Sequence, residues 1–172
     1  VADSDPHGLW NSNMETNPAV AGISRSGTTG TYTYGVIQPF GVTPPGASSA
    51  DNRPITYVSW FDAARFANWM ANGQPLGAAG VSTTEDGAYN LQNWATGTAP
   101  SKNGVNPNTG MPPTYWIPTQ SEWWKAAYYS PTLNSGSGGY YAYATQSDSA
   151  PGNVIGTTPN QANFKSCLLY TS

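Results

Sequence analysis

Twice in this chain a hydroxyl side chain stands three residues ahead of a carboxylate, at the head of a run rich in aromatics and alanine. Ser59 precedes Trp60-Phe61-Asp62-Ala63-Ala64-Arg65-Phe66-Ala67-Asn68-Trp69-Met70, and Thr119 precedes Gln120-Ser121-Glu122-Trp123-Trp124-Lys125-Ala126-Ala127-Tyr128. In this arrangement the hydroxyl accepts a hydrogen bond from an orphan amide of the first helical turn. The carboxylate reaches back to the amide of the capping residue. The spacing predicts helices over residues 60–71 and 120–129. In the first, Ala63, Phe66, Ala67 and Met70 recur at helical spacing and define an inward stripe. In the second, Trp123, Ala126 and Ala127 do so, with Trp124 and Tyr128 beside them. Phe66, Trp69, Trp123 and Ala127 are expected to be buried. Asn72-Gly73 and Ser130-Pro131 supply the stops. Glu122 reads as a cap rather than as a general acid or base.

Outside the two helices the chain is extended or irregular. Nineteen glycines and fifteen prolines imply long loops, while seven Trp, eleven Tyr and four Phe carry enough apolar area to build a core. Short strands are predicted over 31–38, 54–58 and 115–117, with a further one at 88–91 inside an otherwise irregular stretch over 73–113. No internal repeat or interdomain linker is evident. Charged residues make up 9% of the chain and the formal charge is -3, so no basic patch exists to hold a phosphate backbone, and nucleic acid is excluded as a partner. No run of roughly 18 apolar residues occurs, so no membrane-spanning helix is expected. Abundant Ser, Thr, Asn and Gly with few Lys fit an exported bacterial protein, extracellular or periplasmic. Val1 reads as an internal residue of a longer protein. His7, the single histidine, reads as a solvated loop residue.

Two segments carry a family resemblance. Arg53-Pro54-Ile55-Thr56-Tyr57-Val58-Ser59-Trp60-Phe61-Asp62-Ala63 resembles the entry to the first conserved helix of the formylglycine-generating-enzyme, or sulfatase-modifying-factor, family. Tyr115-Trp116-Ile117-Pro118-Thr119-Gln120-Ser121-Glu122-Trp123 resembles that family's second helix box, in matching order and spacing. Gly152-Asn153 and Gln161-Ala162-Asn163-Phe164 resemble a later stretch. Gly8-Leu9-Trp10-Asn11 and Gly30-Thr31-Tyr32-Thr33-Tyr34 are similar to a bacterial secreted subgroup. The resemblance implies an α+β domain with a C-type-lectin-like core, loop-rich and incomplete at both ends, over residues 1–166. Residues 167–172, Cys167-Leu168-Leu169-Tyr170-Thr171-Ser172, match the read-through of a sequencing-library adapter. They are read as a non-native tail that contributes nothing to the fold, so the single cysteine carries no functional inference.

Active members of the family oxidise a cysteine to formylglycine with copper held by cysteine thiolates, and related members are iron oxygenases that use histidines. Those metals need thiolate, imidazole or carboxylate clusters. This sequence lacks the family's late "G-N-x-W-E-W" box and its cysteine region, so no catalytic residue is assigned. The resemblance carries over one metal position: Asn163, through its side-chain oxygen, and Phe164, through its main-chain carbonyl, as part of a calcium site. Calcium takes about six to eight oxygens, so these two would form a partial site. Two functions follow. One is an oxidase or oxygenase domain acting on a protein or peptide substrate, with its catalytic region outside this chain. The other is a non-catalytic lectin-like domain binding a carbohydrate or protein ligand. Tyr128, Tyr129, Tyr140, Tyr141 and Tyr143 are read as core and loop filler, with a carbohydrate-stacking surface as the alternative.

Overall fold

The computed structural model describes residues 3–18, 20–37, 54–92, 96–153 and 158–162. The chain divides into two compact units, Val1–Ile117 and Pro118–Ser172. Asn163 and Phe164 of the expected calcium site, the tail and its cysteine all lie outside the described residues.

The first unit opens with a single helical turn, α1 (Asn13–Thr16), and an antiparallel hairpin of β1 (Ile23–Ser26) and β2 (Thr33–Val36). The register runs from Ile23 opposite Val36 to Ser26 opposite Thr33. Gly27 starts the hairpin loop at φ +92°, and a Cβ there would lie 2.5 Å from the Thr31 carbonyl oxygen, so no other residue fits. Arg25 is held in this unit by rings and charge together. Its guanidinium lies 4.1 Å from the Trp10 ring centroid and 4.2 Å from that of Tyr32, and Nη1 donates to Asp5 Oδ2 at 3.0 Å.

Helix α2 (Trp60–Ala71) begins and ends as its sequence predicts. The Ser59 hydroxyl accepts from the Asp62 amide at 3.1 Å, and the Asp62 carboxylate accepts from the Ser59 amide at 2.8 Å. Asn72 closes the helix and Gly73 leaves it at φ +80°. The buried face, however, is not the predicted stripe. Phe61, Ala64, Arg65, Ala67, Asn68 and Ala71 are buried, whereas Phe66 is 62% exposed and Trp69 is only half-buried. The period is helical but the face is rotated, because the partner is a close-packed loop rather than a greasy sheet. Ala64, Ala67 and Ala71 admit that loop closely, and Ala88, Tyr89 and Leu91 fill the space against them. Trp60 stands edge-on to Phe61 and to Tyr89, with centroids 5.2 and 5.1 Å apart.

Three predicted strands are not strands. Residues 54–58 find no ladder partner among the described residues, and Tyr57 turns to φ +58° there, its hydroxyl accepting a hydrogen bond from the Asn17 side-chain amide. Residues 115–117 form no strand, and a side chain takes the place of the missing partner. The Tyr89 hydroxyl accepts from the Ile117 amide at 3.0 Å and donates to its carbonyl at 3.2 Å. Residues 88–91 are loop, with Ala88, Tyr89 and Leu91 buried and Asn90 exposed. The long irregular stretch before Ile117 is therefore ordered by side chains rather than by backbone ladders.

The second unit opens with α3 (Gln120–Tyr128), capped by Thr119 and Glu122 in the same reciprocal way. Two-residue strands β3 (Tyr129–Ser130) and β4 (Gly139–Tyr140) pair antiparallel. Between them Asn134 and Ser135 adopt left-handed backbone angles. No residue of α3 is buried, so the expected burial of Trp123, which is 55% exposed, is not found, and Ala127 is only half-buried. Tyr129, Tyr140 and Tyr143 are likewise exposed, not core filler. Further on, Gly152 and Gln161 form a parallel bridge that brings the two late motif stretches side by side, the Gly152 amide donating to the Asn160 carbonyl at 3.0 Å.

Candidate ligand-binding groove on helix α2

The inner face of α2 explains how its outer face is held. Asn68 and Asn72, one turn apart, both point at the loop that follows the helix. Asn68 Nδ2 donates to the carbonyls of Thr84 and Tyr89, both at 2.9 Å, and its Oδ1 accepts from the Tyr89 amide at 2.8 Å. Asn72 Nδ2 donates to the carbonyls of Thr83 and Asp86 at 2.9 and 2.8 Å, while its Oδ1 accepts from Asn106 and Asn108 at 2.9 and 3.2 Å. Gly87 passes between the two amides at φ +153°. A Cβ there would lie 3.1 Å from Asn72 Oδ1 and 3.2 Å from Asn68 Oδ1. Every buried side-chain polar atom among the described residues has a partner, so this polar knot makes the loop rigid rather than costing stability.

Beside the knot lies a buried charge pair. Arg65 Nε and Nη2 donate to the two oxygens of Glu85 at 2.9 and 3.0 Å, a fork-to-fork pairing. Thr84 Oγ1 donates to Glu85 Oε1 at 2.9 Å, and His7 Nε2 lies 3.0 Å from the same oxygen. His7 is thus half-buried against Glu85, not the solvated loop residue expected. The reason is physical: a carboxylate taken out of water recruits every donor within reach. No sequence spacing pairs residues 7 and 85, which are brought together only by the fold.

On the outward side of this pair is a groove of about 370 Å³, floored by Arg65 and Thr84 and walled by Leu9, Phe66, Trp69, Pro75 and Leu76, with Asp62 at its rim. Phe66 and Trp69 stand 5.8 Å apart, tilted by 35°, and the Trp69 indole N–H donates to the Pro75 carbonyl at 3.0 Å. The aromatic wall is therefore fixed before any ligand arrives. A concave, mostly apolar site of this size with a few convergent polar groups suits a small molecule or one side chain of a larger partner. Asp62, Phe66 and Trp69 fall at positions i, i+4 and i+7 of one helix, so Phe66 and Trp69, expected in the core, line this groove instead beside the capping carboxylate.

Among the described residues no three His, Cys, Asp or Glu side chains gather where they could hold a metal ion. The single histidine is engaged by Glu85, so the described donors do not fit a copper or iron centre. No helix among them is long and apolar enough to cross a membrane.

A family model for the sulfatase-modifying factor enzyme 1-like domain matches residues 22–166. No curated protein and no solved structure gives a match.

Proposed function

Since the chain belongs to the sulfatase-modifying-factor family, we propose that the groove on α2 holds a protein or peptide ligand for a domain whose chemistry is carried by residues other than those described. That chemistry is oxidation of a cysteine to formylglycine or a related metal-dependent oxygenation. The observation that carries the reading is the preformed aromatic wall of Phe66 and Trp69 above a floor whose polar groups are already paired. Such a floor positions a ligand without reacting with it. Calcium at Asn163 and Phe164 belongs to the same proposal, as does an exported setting, which the low charge and the Ser- and Asn-rich composition support.

The alternative is a non-catalytic lectin-like domain. In the second unit a cleft of about 240 Å³ is lined by Gln120, Ser121, Trp124 and Tyr140. Exposed rings beside amide and hydroxyl side chains favour a carbohydrate there, since rings stack on sugar faces while the polar groups meet hydroxyls.

The experiment incubates the chain, with and without copper, with a cysteine peptide of sulfatase-motif type and reads both binding and product mass. Binding that shifts the Trp69 indole resonance without formation of an aldehyde is expected. Copper-dependent aldehyde formation by this chain alone would overturn the assignment of chemistry elsewhere. Binding of oligosaccharide, with a shift of Trp124 and none of Trp69, would favour the lectin-like alternative.

A further inference from the structure

We infer that residues 5–10 form a strap along the α2 groove, with Leu9 as a movable wall and the contact of His7 with Glu85 as the latch that holds it in place. Its consequence for binding rests on the reading of the groove as a ligand site; the latch itself does not. The strap is closed on itself. The Asp5 carboxylate accepts from the Leu9 amide at 2.7 Å and the Trp10 amide at 3.3 Å, and the Gly8 amide donates to the Asp5 carbonyl at 3.2 Å. It is also fastened to the β1–β2 hairpin. Arg25 donates to Asp5, the Trp10 indole N–H donates to the Ile23 carbonyl at 3.2 Å, and the Asp3 carbonyl accepts from the amides of Gly30 and Tyr32. None of these bonds involves α2 or the loop that follows it, so they keep the strap's shape whether or not it lies on the groove.

The link to the α2 side is of a different kind. His7 Nε2 lies 3.0 Å from Glu85 Oε1, and two residues on, Leu9 lines the groove. Both partners survive the loss of this contact. Glu85 keeps both prongs of Arg65 and the Thr84 hydroxyl, so its carboxylate stays paired. The His7 side chain is 25% exposed, so the imidazole has water to turn to. A contact whose partners are both satisfied without it opens at far lower cost than one that orphans a buried group. Gly8, between latch and wall, has φ +63° and no described atom within 4 Å of where a Cβ would stand, so there is open space at the joint. The Asn17 side-chain amide, bonded to the Tyr57 hydroxyl, keeps the hairpin assembly attached to the segment leading into α2 when the latch is open. Leu9 thus moves with the strap, while Phe66 and Trp69 stay on the helix.

The test compares the 172-residue chain with its His7→Ala and His7→Gln variants by nuclear magnetic resonance in the presence of a neutral, soluble paramagnetic probe. His7→Ala is expected to raise the relaxation enhancement of the Leu9 methyls at least about two-fold, while the Leu9 amide, bonded to Asp5, keeps its slow hydrogen exchange. His7→Gln, which presents an amide N–H in place of the imidazole one, should leave the Leu9 methyls as they are in the unsubstituted chain. The cysteine peptide of sulfatase-motif type should associate with His7→Ala at least about three-fold faster than with the unsubstituted chain. Leu9 methyls unchanged in His7→Ala overturn the inference, as does His7→Gln behaving like His7→Ala. Loss of the Leu9 amide protection overturns it too, since the strap then unfolds instead of moving. Peptide association at one rate in both forms shows that the strap gates nothing and overturns the inference. A peptide that binds neither form overturns the groove reading alone, and the latch is then decided by Leu9.

Discussion

Helices α2 and α3 begin with the same chemistry and end in opposite surroundings. Each has a hydroxyl cap, a carboxylate three residues on, and both reciprocal bonds in place. Yet α2 buries six of its residues, two of them polar, while α3 buries none. The cap decides where a helix starts, but what it buries depends on the shape and polarity of what lies against it. Along α2 the small residues Ala64, Ala67 and Ala71 alternate with amides that bind a loop backbone. Along α3 the corresponding surface carries Trp123 and Trp124, both about half exposed, and no amide that reaches a following loop is found among the described residues.

If this contrast is right, substitutions inside the α2 face should be far costlier than any in α3. The largest effect is expected for Glu85→Ala, which leaves the Arg65 guanidinium buried without its carboxylate. A loss of about 3–5 kcal/mol is expected in denaturant unfolding. Asn68→Ala comes next. It strips three hydrogen bonds and orphans buried groups of Thr84 and Tyr89, each worth about 1–3 kcal/mol when left unpaired, so a loss above about 3 kcal/mol is expected. Ser59→Ala and Thr119→Ala should each cost about 1 kcal/mol, and should cost it alike, because the caps are the part the two helices share. Clearly unequal losses would break the comparison at its premise. Phe66→Ser should change stability by less than about 0.5 kcal/mol, against the several expected had Phe66 been core.

The smallest effect concerns pH and the hairpin. Burial, reinforced by the negative charge of Asp5, raises the Tyr34 phenol above its ordinary value. A group whose folded value is raised contributes stability that is present below its unfolded value and lost as pH rises through the folded one. Tyr34→Phe should therefore flatten slightly the alkaline decline of thermal stability above about pH 10. An unchanged decline would mean that Tyr34 ionises as freely in the folded chain as in the unfolded one.

Both helices were legible to within a residue because capping is local chemistry between positions three apart. The family was legible for the same reason, since its boxes are short contiguous runs. The strands were not. Residues 54–58 and 115–117 have strand-like composition, but pairing needs a partner, and here Tyr57 turns out of line and Tyr89 supplies bonds to Ile117 from its side chain. The groove was half legible: the spacing of Asp62, Phe66 and Trp69 marks one stripe, but a stripe does not say whether it faces core or solvent. What decides that is the opposite face, where Asn68 and Asn72 lie one turn apart ahead of Gly87, Asn103, Asn106 and Asn108. Amides at helical spacing followed by an asparagine-rich loop were the available signal. Hydrophobic periodicity alone does not carry that information. The pairing of His7 with Glu85 had no such signal.

An asparagine lattice on α2, set beside the small-residue contact of Ala64, Ala67 and Ala71 with the loop, holds the following loop in place and leaves the groove preformed. Amide hydrogen exchange at Tyr89 tests it most directly, since that amide lies outside helix and strand and donates to the Asn68 side-chain oxygen at 2.8 Å. The account predicts that Tyr89 exchanges as slowly as the amides in the middle of α2, and that Asn68→Ala raises its rate at least about a hundred-fold, the equivalent of about 3 kcal/mol. A Tyr89 amide that exchanges at the rate of an open loop in the unsubstituted chain would contradict it.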